Sequence, residues 1–293
     1  MESIKLLAPA KVNLVLQVLW KRSDQYHEIQ SLMQRVSWGD ELLLRKRKRG
    51  VVLKARSVGL PSEPENLAYR AAEYFFESSG IDGGVEIVLW KRIPIGAGLG
   101  GGSSDAAAVL RGLSCLWGEE PRFSSKEIAR RLGADVPFFL KGSPAIARGI
   151  GEELEPIDKF PNLWYLLLFA PVFVPTRQAY EALRLTNEKS EITIPKKIKD
   201  IEDLKPLVAN AFEPWVLERW PELQNLKKEL VDAGAKIAGM SGSGATFFGV
   251  FPLKREAREA QKRLLQRGFQ SSVVAQGIRE SETLYVENEA KEF

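Results

Sequence analysis

One cysteine, Cys115, stands in 293 residues, so the chain has no internal disulfide, which suits a reducing compartment. One histidine, His27, makes whatever role it has easy to isolate. No window approaches the roughly 18 uninterrupted apolar residues of a membrane-spanning helix. The opening "MESIKLLAPAKVNL" has neither the long apolar stretch nor the small-residue cleavage site of a secretory leader, and the expectation is a cytoplasmic protein with no membrane partner. No Gly-Lys-Ser or Gly-Lys-Thr occurs, which excludes a Walker phosphate loop. His-Arg-Asp and Asp-Phe-Gly are missing too, which excludes a protein kinase. Neither an internal repeat nor a low-complexity tract is present.

What is there suits a folded protein: 44% hydrophobic and 27% charged residues. The length allows two domains, and the turn-rich "GIGEELEPIDKFP" suggests a division into residues 1–150 and 151–293. Lys and Arg number 42 against 38 Asp and Glu, and this slight excess favours anionic partners without requiring nucleic acid. The one dense basic run, Arg45 to Arg49, lies between the strand-like "ELLL" and "VVLKA" and reads as a solvated hairpin tip.

Period-two alternation predicts a strand from Ile4 to Leu19, and "HEIQSLMQRVSWGDELLLRK" predicts two more joined through Gly39 and Asp40. Asn66 opens a helix that Gly80 ends. "GVEIVLW" returns to alternation, and helices follow over "SSDAAAVLRGLSCLWG" and "SSKEIARRLG". Farther on come a buried strand in "LWYLLLF", a helix in "TRQAYEAL", a charged connection, a helix in "ELQNLKKELVDAG", two strands about a glycine turn in "AKIAGMSGSGATFFGVF", and a final amphipathic helix. Strands first and helices after them in succession predict an α+β fold.

Five glycines fall within residues 96–102. The pattern matches a dinucleotide fingerprint, yet the preceding strand alternates as if half-exposed, and a second helix follows where that fold needs a parallel strand. Bare backbone in such density lets several N–H groups turn toward one ligand, and the helix opening near Ser103 adds unpaired N–H groups and a positive dipole end. The combination is a seat for phosphate. Ser103 and Ser104 can bond phosphate oxygens or a magnesium ion; alternatively they cap the helix.

Three segments in order, "PAKVNL" at Pro9 to Leu14, "PIGAGLGGGSSDAA" at Pro94 to Ala107 and "GMSGSGATFFGVF" at Gly239 to Phe251, resemble the superfamily of galactokinase, homoserine kinase, mevalonate kinase and phosphomevalonate kinase. Within it, "YHEIQSLMQ", "GADVPFFLKG" and "GIGEELEPI" are most similar to the branch that phosphorylates 4-diphosphocytidyl-2-C-methyl-D-erythritol. The resemblance implies a two-domain fold of that superfamily with its active site in the cleft between the domains. It implies ATP and Mg2+ as cofactors, and transfer of the γ-phosphoryl group to the 2-hydroxyl of the methylerythritol moiety in the non-mevalonate route to isoprenoid precursors.

Residue by residue, the same resemblance implies Asp135 as catalytic base and Lys11 as its partner, polarising the acceptor hydroxyl. Asp135 read alone has an N-cap as its alternative reading, and whether it abstracts the proton or only orients the hydroxyl stays open. Pro94, Gly96, Gly98, Leu99, Gly100, Gly101 and Gly102, with Ser103 and Ser104, are implied to hold the triphosphate, and Asn66 and Lys91 to line the adenine side. Asn66 also fits a helix cap. Tyr26 and Tyr180 are implied to sandwich cytosine, His27 to hydrogen-bond it, Asn13 and Thr176 to supply polar contacts, and Gly239, Ser241 and Gly242 to support the substrate diphosphate. Asp105 has no firm role, and the metal ligands are not identified. A nucleobase cradle has no purpose for mevalonate or homoserine, and a pure binding protein has no need of a lysine and acid pair. The expected partner is a small molecule, not nucleic acid, and the expected state a monomer or weak homodimer.

Overall fold

The alternation that begins at Ile4 becomes one long strand, β1 (Ser3–Lys21), in the computed structural model, which describes residues 1–56, 63–118, 124–183, 191–279 and 285–286. It pairs antiparallel along nearly its whole length with β2 (His27–Arg47). The two strands expected about Gly39 and Asp40 are therefore one. Pro9 faces Gly39 while Lys11 faces Arg35, so the break expected as a turn is a bulge. A Cβ on Gly39 would lie 1.9 Å from the Ala8 carbonyl oxygen, so only glycine fits where the strands press together.

The basic run is also placed differently. After β3 (Gly50–Arg56) the chain returns as β4 (Gly84–Trp90), which inserts between β2 and β3, antiparallel to the first and parallel to the second. Arg45 to Arg47 thus end β2, and Lys48 and Arg49 turn the chain round the end of β4 instead of closing a hairpin of paired neighbours. The inserted strand and its approach bring counter-charges to the run: Arg45 pairs with Glu86 at 3.0 Å and Arg49 with Asp82 at 2.9 Å.

Helix α1 (Leu67–Ser79) begins at Asn66, whose side chain accepts from the Ala68 N–H, and ends on left-handed Gly80. It packs beside α2 (Gly101–Trp117), which starts two residues before Ser103. Leu6, Leu42, Leu44, Ile87 and Leu89 of the sheet are buried beneath Ala68, Phe75, Val109 and Leu113 of these helices. Two short helices follow, α3 (Ser125–Leu132), capped by Ser124, and α4 (Val136–Lys141).

The stretch expected as a domain boundary contains the turn between β5 (Ala145–Arg148) and β6 (Glu153–Pro156), a hairpin attached to β2. Beyond it lie β7 (Trp164–Phe169), α5 (Thr176–Ala182), α6 (Ile201–Leu204), β8 (Ala209–Asn210), α7 (Glu213–Arg219), α8 (Gln224–Asp232), β9 (Ile237–Ser241), β10 (Thr246–Phe251), α9 (Lys254–Gln266), β11 (Ser272–Ile278) and β12 (Tyr285–Val286). One mixed sheet runs β12-β1-β2-β11-β7-β10-β9, with the other strands branching from it. β11 joins its halves, pairing with β7 through Ser272 to Gln276 and with β2 at Gly277 and Ile278. The fold is α+β.

Candidate active site

β1 carries the first functional side chains inward. Lys11 is 4% exposed; its Nζ donates to Asn13 Oδ1 and lies 3.4 Å from Asp135 Oδ2. Asn13 in turn donates to the Ser31 hydroxyl at 2.8 Å, and that hydroxyl donates to the Val15 carbonyl at 2.6 Å. The lysine is therefore aimed by a chain of bonds that starts in the backbone of its own strand. Asp135 occupies the N-cap position of α4, yet its carboxylate caps nothing and remains 30% exposed. A capping role is thereby excluded, and the carboxylate faces both Lys11 and open space.

The glycine loop runs beside this pair. The Lys11 N–H donates to the Leu99 carbonyl at 3.0 Å, so strand and loop are bonded directly. Gly96, Gly98 and Gly100 have φ of 70°, 73° and 70°, with Ala97 and Leu99 between them at ordinary negative φ. Left-handed glycines in such density let backbone N–H groups approach an anion closely. The loop leads into the N-terminus of α2, whose dipole adds positive potential. Gly102 is exposed and Ser103 half-buried at this mouth, and the ring of Phe173, 62% exposed, rests on Gly96.

The third glycine segment closes against the loop. A Cβ on Gly98 would fall 2.2 Å from the Ser241 carbonyl oxygen, and one on Gly242 would fall 2.7 Å from the Gly98 Cα. Ser241 rivets the junction: its hydroxyl accepts from the Asn13 N–H and donates to the Gly98 carbonyl, both at 3.0 Å.

His27 lies stacked on Tyr180, their ring centres 4.8 Å apart, and Tyr180 meets Phe212 edge-on. Burial, with the charge of Lys21, lowers the His27 pKa below 6.5, so the imidazole is neutral at pH 7. Burial and the charge of Asp135 push the Tyr180 phenol up to about 12, which links the aromatic pair electrostatically to the carboxylate. Thr176, at the start of α5, shares a 2.9 Å hydrogen bond with Ser243.

Several of the expected site residues have partners within the protein. Tyr26 is 58% exposed, and His27 stacks on Tyr180. The Lys91 ammonium is buried between Asp40 and Asp105. Asn66 uses its oxygen as a cap. Ser104 donates to the Pro9 carbonyl at 2.7 Å, leaving Ser103 as the loop hydroxyl at the mouth. Leu99 is a core residue that offers only backbone, Gly239 lies inside β9 against Phe248, and Ser241 is fully buried. Sequence reasoning missed Ser31, Asp40, Phe173 and Ser243; only the strand register and the long-range folding of the loops bring them to the site.

The description "GHMP kinases N terminal domain" matches residues 66–143, and "GHMP kinases C terminal" matches residues 194–270. A 4-diphosphocytidyl-2-C-methyl-D-erythritol kinase of Geobacter metallireducens is 45% identical over 89% of this chain and 93% of its own. One of Citrifermentans bemidjiense is 41% identical over 94% and 99%. The chain belongs to the 4-diphosphocytidyl-2-C-methyl-D-erythritol kinase family. A crystal structure of a 4-(cytidine 5'-diphospho)-2C-methyl-D-erythritol kinase, 39% identical, superimposes with a TM-score of 0.80 over 94% of this kinase and 99% of that chain. A homoserine kinase from Cytophaga hutchinsonii, 21% identical with a TM-score of 0.63, shares the fold. Membership makes the chain a small-molecule kinase that uses ATP. Among the described residues no helix is long and apolar enough to cross a membrane.

Proposed function

We propose that this kinase transfers the γ-phosphoryl group of ATP to the 2-hydroxyl of 4-diphosphocytidyl-2-C-methyl-D-erythritol, with Asp135 and Lys11 at the reacting oxygen. The observation that carries the reading is the Lys11 and Asp135 pair, 3.4 Å apart, with Lys11 on a strand bonded to the glycine loop. Phosphoryl transfer requires an aligned hydroxyl and neutralised phosphate charge more than covalent help. Asp135 accepts the hydrogen of the 2-hydroxyl and orients its oxygen; Lys11 holds that oxygen as negative charge develops. The 2-oxygen bonds to the γ-phosphorus, the bond from phosphorus to the β,γ-bridging oxygen breaks, and ADP leaves with that electron pair.

The left-handed backbone at Gly96, Gly98 and Gly100 and the start of α2 suit the triphosphate, because glycine alone adopts that backbone without strain and lets the loop pack this closely against Phe173, Ser241 and Phe139. Mg2+ would neutralise phosphate charge. The Ser103 hydroxyl, half-buried at the mouth, is among the groups that could hold it beside phosphate oxygens and water. Neutral His27 suits cytosine, since one ring nitrogen donates and the other accepts. The division of labour follows the chain: residues 1–150 hold ATP and residues 151–293 complete the substrate side. The setting we infer is cytoplasmic, with a monomer or weak homodimer and no nucleic-acid partner.

Phosphorus NMR of the product tests the reading. It predicts one new phosphomonoester per substrate consumed, on the tertiary 2-oxygen. Phosphorylation at another hydroxyl, or none, would overturn it.

A further inference from the structure

Asp40 is fully buried and belongs to neither the reacting pair nor the base site. It stands at the bulge of β2, next to Gly39. Its Oδ1 accepts the backbone N–H groups of Arg92 at 2.5 Å and Ile93 at 2.8 Å, and its Oδ2 takes the Lys91 ammonium. The same ammonium reaches Asp105 Oδ2, in the second turn of α2, at 2.7 Å. It also lies 3.1 Å from the point a Cβ of Gly101 would occupy, directly behind the first residue of that helix. Burial alone would lower the Lys91 pKa, but the charges of Asp105 and Asp40 outweigh it and hold the ammonium above its ordinary value.

We propose that Asp40, acting through Lys91, is a positioning residue that sets the phosphate seat by tying the start of the glycine loop to α2. One carboxylate thereby fixes three parts: the strand bulge, residues 91–93 that launch the loop, and the helix whose N-terminus meets the phosphates. Asparagine cannot replace it. An amide oxygen could keep both backbone donors, but the amide turns an N–H2 group, in place of the negatively charged Oδ2, toward the Lys91 ammonium. The consequence is a loop displaced at its entry, while Asn13, Ser31 and the aromatic pair keep their own anchors.

This inference rests on the reading of the glycine loop as the ATP site. The test is steady-state kinetics of Asp40→Asn and Lys91→Met with ATP and the cytidyl substrate, beside inhibition by inorganic tripolyphosphate, which has no base. The expected result is KM for ATP and Ki for tripolyphosphate raised together by about 10-fold or more, with the KM for the cytidyl substrate unchanged; a misplacement near 1 Å can cost about 10²-fold. Leu264→Ala in α9, a buried residue far from the loop, supplies a destabilised control that should leave all three constants alone. Tripolyphosphate inhibition unchanged while KM for ATP rises would make Lys91 an adenine contact and overturn the proposal. Wild-type constants in both variants would overturn it as well, and if Asp40→Asn does not fold, Lys91→Met decides alone. A wild-type enzyme with no saturable ATP dependence would instead refute the reading of the loop itself.

Discussion

Gly98→Ala and Gly118→Ala form a matched pair that isolates the contact between the two glycine segments. Both positions have nearly the same left-handed backbone, φ 73° and 72°. Alanine therefore incurs the same local cost at each, about 1–2 kcal/mol. Their surroundings differ: among the described residues, leaving aside its own helix and chain neighbours, no atom lies within 4 Å of a Cβ at Gly118, while one at Gly98 falls 2.2 Å from the Ser241 carbonyl. That carbonyl is backbone at the end of a buried strand and cannot swing aside. Restoring ordinary contact at 3.4 Å requires the loops to part by about 1.2 Å. Displacement of that size costs on the order of 10²-fold in rate when it moves a group that positions substrate. Thermal melts with ADP-release kinetics read both terms. The account expects Gly118→Ala to lower Tm by about 2–4 °C per kcal/mol lost and to keep its kinetics. Gly98→Ala should melt lower still and lose about 10²-fold in kcat/KM for ATP. Indistinguishable kinetics in the two variants would refute the argument.

Asp135→Asn should reduce kcat by about 10²- to 10⁴-fold with little change in Tm, because the carboxylate caps no helix; near-normal turnover would remove Asp135 from the mechanism. Ser241→Ala strands the Asn13 N–H and the Gly98 carbonyl, and urea unfolding should show a loss of about 1–3 kcal/mol; an unchanged midpoint would contradict the rivet. His27 is neutral at pH 7 with its native pKa below the ordinary 6.5, so native protein binds fewer protons than unfolded protein as pH falls through that region. Stability and affinity for the cytidyl substrate should hold above pH 6.5 and weaken below it, and His27→Gln should flatten that step; a KM independent of pH down to 5 would exclude the imidazole from recognition.

Features with local causes were legible before any coordinates. Asn66 and Gly80 bound α1, Ser124 and Gly133 bound α3, and the glycine run announces an anion seat, because caps and left-handed turns are decided within a few residues. Features decided by distant strands were not. Gly39 reads as a turn, yet its missing side chain serves a close approach to Ala8. β4 inserts between β2 and β3 across more than thirty residues, which no short window of alternation reveals. In the site, Lys11 and Asp135 were named by resemblance and the structure pairs them. Ser241 looked like a ligand residue because the sequence cannot show that both sides of its hydroxyl are engaged. The partners of Lys91, Asp40 and Asp105, lie 51 and 14 positions away, and only the fold brings them together.

The most direct measurement is ADP release from ATP with 4-diphosphocytidyl-2-C-methyl-D-erythritol, run beside mevalonate, homoserine and the His27→Ala variant. The account predicts turnover with the cytidyl compound alone, at a raised KM in the variant. Turnover with mevalonate or homoserine, and none with the cytidyl compound, would contradict it.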